Sequence, residues 1–373
     1  MLDATPFCSC RLFDLYERGL YEEAGRGVLG VLSRDEGCAE AWLVDGLLRA
    51  RRGEKTQAER SMQRAEALLP ELAEQFDFRT PLLVQRGLAT WISIRATRFR
   101  QVVRFAKTSG FVVSYPKCGR TWLRLLIGRA LGPACGGLDD KNVLETAEWT
   151  EGLGNQPVVD FTNDDYPAFK PWQTIETGEM GDRAKRRYAG KRVLLLVRDP
   201  RDVMVSYYFQ YTRRGDREWA RDSFSGSLSD FLRHPIGGLR SLLTFWEAWN
   251  RAQSIPASFS VLRYEDLHRD PLSALRNVLG FFGLKPESED AVACAVQHSR
   301  FEVMHDLERR DALGSFRLRP GDVNDPESYK TRRGIVGGYR DYLSANDLAW
   351  MNEQLAALPT LLADYRTERP ASE

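Results

Sequence analysis

Residues 111–131 read FVVSYPKCGRTWLRLLIGRAL, and the fold turns on this stretch. Phe111, Val112 and Val113 form a short apolar, β-branched run suited to a buried strand. Pro116 and Gly119 interrupt the pattern. From Trp122 onward the apolar residues Trp122, Leu125, Leu126 and Leu131 fall at helical spacing. The spacing predicts strand, tight loop, helix, with Lys117, Cys118, Gly119, Arg120 and Thr121 in the loop. A loop that opens a helix presents unpaired backbone N–H groups and the positive end of the helix dipole, which together bind phosphate. Gly119 allows close backbone approach, Lys117 and Arg120 add charge, and Thr121 adds a hydroxyl donor. The chain is expected to handle a phosphorylated nucleotide.

A second stretch, residues 192–211, reads RVLLLVRDPRDVMVSYYFQY. Val193 to Val197 is a continuous apolar run of the kind found in central parallel strands. Arg198 ends it, Asp199-Pro200 turns the chain, and a helix is expected to start near Asp202. Arg198 and Ser206 then stand at a strand end and on the following helix. Placed so, both can reach one phosphate at the carboxyl edge of a parallel sheet, where ligands bind. The plain alternative for Arg198 is a salt bridge with Asp199 or Asp202. The loop is not the common GxxxxGK[ST] nucleotide motif, because Lys117 precedes Gly119.

The order PKCGRTW resembles the 5′-phosphosulfate loop of the PAPS-dependent sulfotransferases, written YPKSGTTW or YPKSGRTW. Tyr115, Pro116, Lys117, Gly119, Thr121 and Trp122 match, and Cys118 stands where Ser is usual. The resemblance implies an α/β, three-layer, P-loop-like domain with a central parallel sheet. It assigns Lys117, Cys118, Gly119, Arg120, Thr121 and Trp122 to the 5′-phosphosulfate, and Arg198 and Ser206 to the 3′-phosphate. SVLRYEDL, residues 260–267, reads as a further strand followed by a helix over 271–284, and Tyr264 matches the family's tyrosine near the adenine. Arg332-Arg333-Gly334-Ile335-Val336-Gly337-Gly338-Tyr339 resembles the RKGxxGDW segment. That segment would bring Arg332, Arg333 and Gly334 to the 3′-phosphate, with Gly338 in place of the usual Asp and Tyr339 in place of Trp. The four motifs occur in family order over about residues 105 to 362.

Sulfuryl transfer, by analogy with phosphoryl transfer, collects charge on the leaving phosphate and the equatorial oxygens. It needs positioning and cations rather than a covalent nucleophile. Lys117 is the candidate for the leaving-group charge, and no metal constellation is legible. Family members commonly carry a His base in a short segment written THD. The corresponding stretch here is Asp160-Phe161-Thr162-Asn163-Asp164-Asp165-Tyr166, with Asn163 at the His position. Asp164 is the most economical replacement base, Asp165 the next, and Asn163 a group that orients the acceptor. An N-cap or solvated turn is the plain alternative for the Asp pair.

The expected activity is metal-independent transfer from PAPS, with PAP as product, to a hydroxyl acceptor; an amine is the second choice. The acceptor is read as a small molecule, a carbohydrate or a lipid. Two rivals stand beside it: an impaired sulfotransferase-like adaptor working through its N-terminal region, and a nucleotide kinase, which would require ATP and Mg²⁺. With 53 Lys and Arg against 52 Asp and Glu, the net charge of +1 argues against a whole-molecule field for nucleic acid or membrane. No 18-residue apolar run exists, and the first twenty residues lack a signal pattern. Six scattered cysteines suit a reducing compartment, so a cytoplasmic protein without a transmembrane segment is expected.

Residues 39–70 carry Trp42, Gly46, Ala58, Ala65 and Pro70 at the offsets of a tetratricopeptide repeat, and Gly19/Gly53 and Ala24/Ala58 are each 34 apart, the repeat length. The expected layout is helical repeats over 1–75, a connecting basic amphipathic helix over 76–106 and a sulfotransferase domain over 107–365. The repeats are read as a structural cap, a self-association surface or a docking surface for a protein partner.

Overall fold

The computed structural model describes residues 12–17, 19–68, 104–132, 143–164, 185–214 and 224–368. The chain forms two compact units, Met1–Lys107 and Thr108–Glu373.

In the first unit, α1 (Leu12–Glu17), α2 (Tyr21–Leu32), α3 (Ala39–Arg51) and α4 (Lys55–Ala67) are described. Gly19 and Gly53 both adopt positive φ, 77° and 80°, and each turns the chain from one helix into the next. Leu12, Ala24, Val28, Cys38, Ala41, Val44 and Leu48 form the core of α1 to α3. Asp45, on α3, accepts from the Ser61 hydroxyl of α4 at 2.6 Å and from Arg49 Nε at 2.6 Å, so its buried charge is satisfied. The amphipathic helix expected over 76–106 lies almost wholly outside the described residues. Only its end, residues 104–107, is described, and that end is helical.

The second unit is built on a four-stranded parallel sheet, order β2-β1-β3-β4, from β1 (Gly110–Val113), β2 (Val159–Thr162), β3 (Arg192–Val197) and β4 (Ser258–Arg263). All four residues of β1 are buried, as are Val193 to Val197 of β3, so both faces of the centre are covered. Such strands read as unbroken apolar runs, which is why both were legible. The edge strand β2 instead alternates buried and half-buried residues.

After β1 comes α5 (Arg120–Leu131), and α6 (Thr146–Gly152) leads into β2. After β3 comes α7 (Pro200–Arg213), then α8 (Leu228–Arg233) and α9 (Leu239–Ala252). After β4 follow α10 (Tyr264–Arg269), α11 (Pro271–Phe282), α12 (Glu289–His298), α13 (Phe301–Arg309) and α14 (Ala345–Leu355). The strand expected over residues 260–267 is corrected in its second half: pairing with β3 ends at Arg263, and Tyr264 already begins α10. Helix α7 starts two residues earlier than expected. Pro200 takes its first turn, where its missing N–H costs nothing, and the Asp199 carboxylate caps the Arg201 amide at 2.9 Å.

That corner is braced from the far end of the chain. Arg201 is fully buried and bonds Asp199, Asn352 and the Tyr365 carbonyl. Glu265 accepts from the Asp199 amide at 2.8 Å and the Tyr365 hydroxyl at 2.7 Å. These bonds fix the end of β3, and with it Arg198. Among the described residues no helix is long and apolar enough to cross a membrane. Cys38 and Cys118 are outside any disulfide, whereas Cys294 on α12 is disulfide-bonded, which departs from the reducing setting expected for the scattered cysteines.

Candidate active site

Each strand delivers one candidate residue at its carboxyl end. Lys117 follows β1, Asn163 follows β2, Arg198 follows β3 and Tyr264 follows β4. All four line one cavity of about 1130 Å³, together with Gly119, Arg120, Thr121, Trp122, Ser206 and Gly334. This is the crevice beyond the carboxyl ends of a parallel sheet, the ligand position of open α/β folds.

The loop between β1 and α5 is held in uncommon backbone geometry. Lys117 sits at φ 72° and Gly119 at φ 101°. A non-glycine residue in the left-handed region costs of order 1–3 kcal/mol and persists where the surroundings require it. At Gly119 a Cβ would come within 2.7 Å of the Tyr264 ring, so glycine is needed both for φ and for the ring lying over the loop. Cys118 faces inward instead. Its side chain is fully buried, burial pushes its thiol up to about 12, and it can offer the cavity only its backbone amide.

Lys117 Nζ has an amide partner, Gln210 Oε1 at 3.3 Å. Burial, then the neighbouring Arg214 guanidinium, lowers its pKa to about 7. Arg198 donates to the Lys117 carbonyl at 3.4 Å and the Ile335 carbonyl at 3.3 Å, and Asp202 lies 3.8 Å away. Its buried Nε has no hydrogen-bond partner. Its guanidinium carbon stands 4.3 Å from the centre of the Tyr264 ring. Trp122, Tyr264 and His268 form an edge-packed aromatic group, with Trp122 and Tyr264 centroids 5.7 Å apart.

The sequence expectations for a base and for the second basic loop need correction. Asp164 does not line the cavity. It is fully buried at φ 52°, ion-paired to Lys185 and Arg187, the latter at 2.5 Å, and it accepts from the Tyr188 hydroxyl at 2.9 Å. Burial works against its charge, but the two cations hold its carboxyl below the usual range. A carboxylate so engaged has neither the access nor the basicity of a general base. Asp165 lies outside the described residues. Asn163 does reach the cavity, and its buried Oδ1 has no hydrogen-bond partner. Arg332 and Arg333 do not line the cavity. Arg332 pairs with Glu327 at 2.9 Å and with the Tyr342 hydroxyl, and Arg333 with Asp341. Gly338 lacks the acid expected at its position, and Asp202 on α7 anchors this loop instead. It accepts from the Gly337 amide at 2.8 Å and the Tyr339 amide at 3.0 Å.

Sequence reasoning missed four residues. Gln210 and Arg214 lie one and two helical turns beyond Ser206, a spacing that could have found them. Glu308 and Lys330 had no motif to mark them. Glu308 is fully buried and accepts from Arg214 at 2.8 Å, from the Lys330 and Thr331 amides and from the Thr331 hydroxyl.

Residues 189–356 match the family described as Sulfotransferase domain. The chain is also similar to Sulfotransferase 2B1 of Homo sapiens, 26% identical over 275 residues that cover 70% of each chain. Residues 189–356 are recognised by the family match as a sulfotransferase domain. Similar, too, are 3-alpha-hydroxysteroid sulfotransferase of Cavia porcellus, 25% identical over 67% of this chain and 83% of the relative, and Cytosolic sulfotransferase 16 of Arabidopsis thaliana, 27% identical over 64% of this chain and 72% of the relative. Among solved structures, mouse sulfotransferase SULT7A1 complexed with PAP aligns at TM-score 0.45 and 18% identity, covering 70% of this chain and 90% of that one. The segment of the sulfotransferase domain matched at 189–356 contains Arg198, Ser206, Tyr264 and Gly334. Lys117 and Asn163 precede it and join them through the parallel sheet.

Proposed function

We propose that the cavity binds PAPS and that the sulfuryl group passes in line to the hydroxyl of a small-molecule acceptor. The observation that carries this reading is the set of four strand ends converging on one cavity, whose two lysines, Lys117 and Lys330, rest on an amide oxygen and a carbonyl oxygen. Thr121 and the loop amides hold the 5′-phosphate at the start of α5. Arg198 and Ser206 hold the 3′-phosphate, and Trp122, Tyr264 and His268 form the base wall. As the bond from sulfur to the bridging oxygen breaks, charge grows on the leaving phosphate, and Lys117 stabilises it. The bond from the acceptor oxygen to sulfur forms on the opposite side. Asn163 Oδ1 accepts a hydrogen bond from the acceptor hydroxyl and orients it; the hydroxyl proton is released to solvent as the ester forms, since a loose transfer asks little of a base. Arg332 and Arg333 reach the 3′-phosphate only if the nucleotide draws them from Glu327 and Asp341.

The acceptor class follows the relatives, whose names include hydroxysteroid sulfotransferases. The sequence leaves residues 133–185, 210–240 and 300–329 to wall the acceptor; of these, 133–142, 165–184 and 215–223 lie outside the described residues. The 34-residue interval between the Gly19 and Gly53 turns supports a tetratricopeptide-like reading of the N-terminal unit.

Calorimetric titration with PAP, ATP and AMP tests the donor site. Wild type is expected to bind PAP far more tightly than ATP or AMP, and Arg198→Ala to weaken PAP by about ten- to a hundredfold. Folded wild type that ignores PAP overturns the reading.

A further inference from the structure

Beside Lys117 lies a second lysine that no motif announces. Lys330 lines the same cavity. Its backbone is fixed from outside: the amides of Lys330 and Thr331 donate to Glu308 on α13 at 2.7 and 2.9 Å. Arg214, at the end of α7, completes the brace. It bonds Glu308 at 2.8 Å and the Ser328 carbonyl at 2.7 Å. The backbone of this segment is therefore bolted to two helices, while the Lys330 side chain points away into the cavity.

There its ammonium donates to the Arg317 carbonyl at 2.6 Å. The Thr121 hydroxyl, in the first turn of α5, donates to that same carbonyl oxygen at 3.5 Å. One oxygen atom thus bridges Lys330 to the loop that holds the 5′-phosphate. Among the described residues no carboxylate lies within ion-pairing distance of Lys330 or Lys117. Glu308, the buried carboxylate nearest this group, is already engaged by Arg214 and three other donors. Three cations, Lys117, Arg214 and Lys330, share that one acid. Burial, then Arg214 and Lys117, holds the Lys330 pKa well below its ordinary value, as an ammonium short of a counter-charge should behave.

We infer that Lys330 is a second ammonium of the phosphosulfate subsite, displaced from the Arg317 carbonyl onto a non-bridging 5′-phosphate or sulfonate oxygen when the donor binds. The inference rests on the PAPS reading above and adds to it a residue outside all four motifs. An ammonium on the non-bridging oxygens neutralises the charge that Lys117, on the bridging oxygen, does not reach.

The test uses the full chain and two nucleotides that differ in one group: PAP, and adenosine 3′-monophosphate, which lacks the 5′-phosphate. In Lys330→Met, PAP is expected to weaken by about ten- to a hundredfold while adenosine 3′-monophosphate is unchanged. Lys330→Arg should recover most of the loss, and thermal denaturation should find both variants folded. Equal PAP affinity in wild type and Lys330→Met removes the inference and leaves the donor reading standing. Parallel weakening of both nucleotides also removes it, because a strut that merely supports the cavity would act on both. Wild type that binds neither nucleotide removes the donor reading and the inference together.

Discussion

Two groups of buried charge in Thr108–Glu373 are wired in opposite ways. Around Asp164, Lys185 and Arg187 and the Tyr188 hydroxyl close on one carboxylate, and Lys185 lies over the Trp249 ring. Around Lys117, the two lysines rest on an amide oxygen and a carbonyl oxygen, and the acid that acts on both of them, Glu308, is occupied by Arg214. The first group is complete within the fold. On the proposed reading, the second is completed by a bound anion. Burial alone does not separate a structural ion cluster from a binding site; the count of opposing charges does.

The sharpest way to break this comparison is to remove the acid from the closed group. Asp164→Ala leaves Lys185 and Arg187 buried with no counter-charge and is expected to cost about 3–5 kcal/mol. Chemical denaturation checks it, and loss of kcat at unchanged stability would return Asp164 to a catalytic role. The pH sign follows from its lowered carboxyl pKa. The stabilisation is fully present above the ordinary carboxylate pKa and is lost as pH falls through the lowered one.

Removing a cation from the open group should do the reverse. Lys117→Met is expected to lower kcat by about a hundred- to a thousandfold, the scale of losing one transition-state donor. Stability should be equal or higher, because a desolvated lysine without an acid partner is a cost in the unliganded fold. A scanning-calorimetry Tm well below wild type would mean that Lys117 is structural and that the contrast is false.

The sequence disclosed the open group far better than the closed one, for a physical reason. Phosphate-binding loops depend on local order: a strand, Pro116, a positive-φ Gly119, a helix start. Local order is written contiguously, so Lys117, Thr121 and Arg198 were readable, as were the apolar runs of β1 and β3. Asp164 was misread because its partners lie 21 and 23 residues away, and neighbouring sequence cannot reveal a long-range ion pair. Tyr264 lines the cavity but from another element than expected, since SVLRYEDL carries no breaker where β4 gives way to α10. Glu308 and Lys330 act through contacts between α13 and residues 328–331, which no spacing rule covers.

A pH series sharpens the contrast without mutation. Unliganded Lys117 titrates near 7, and the bound anion should restore it toward its ordinary value. PAP binding therefore takes up a proton above about pH 7. Affinity is expected to fall by about tenfold per pH unit from there toward the ordinary lysine pKa near 10.5. Calorimetry in buffers of different ionisation enthalpy counts the proton. A flat profile, or the same slope in Lys117→Met, would assign the titration to another group.

The smallest effect belongs to Asn163, and it bears on how the open group works. If the cations supply most of the rate, the residue facing the acceptor should matter only by orientation. Removing one neutral hydrogen bond is worth about 0.5–1.5 kcal/mol, so Asn163→Ala should lower kcat/KM by roughly three- to tenfold and leave PAP affinity unchanged. Asn163→His then separates orientation from proton removal. Where a base limits the rate, this variant should gain on wild type as pH rises through about 6.5, the unperturbed histidine pKa. No gain at any pH would mean that the proton leaves late, behind a transfer already driven by Lys117 and its neighbours. A loss of a hundredfold or more in Asn163→Ala would instead place Asn163 on the level of Lys117 and undo the ranking implied by two lysines that lack an acid partner of their own.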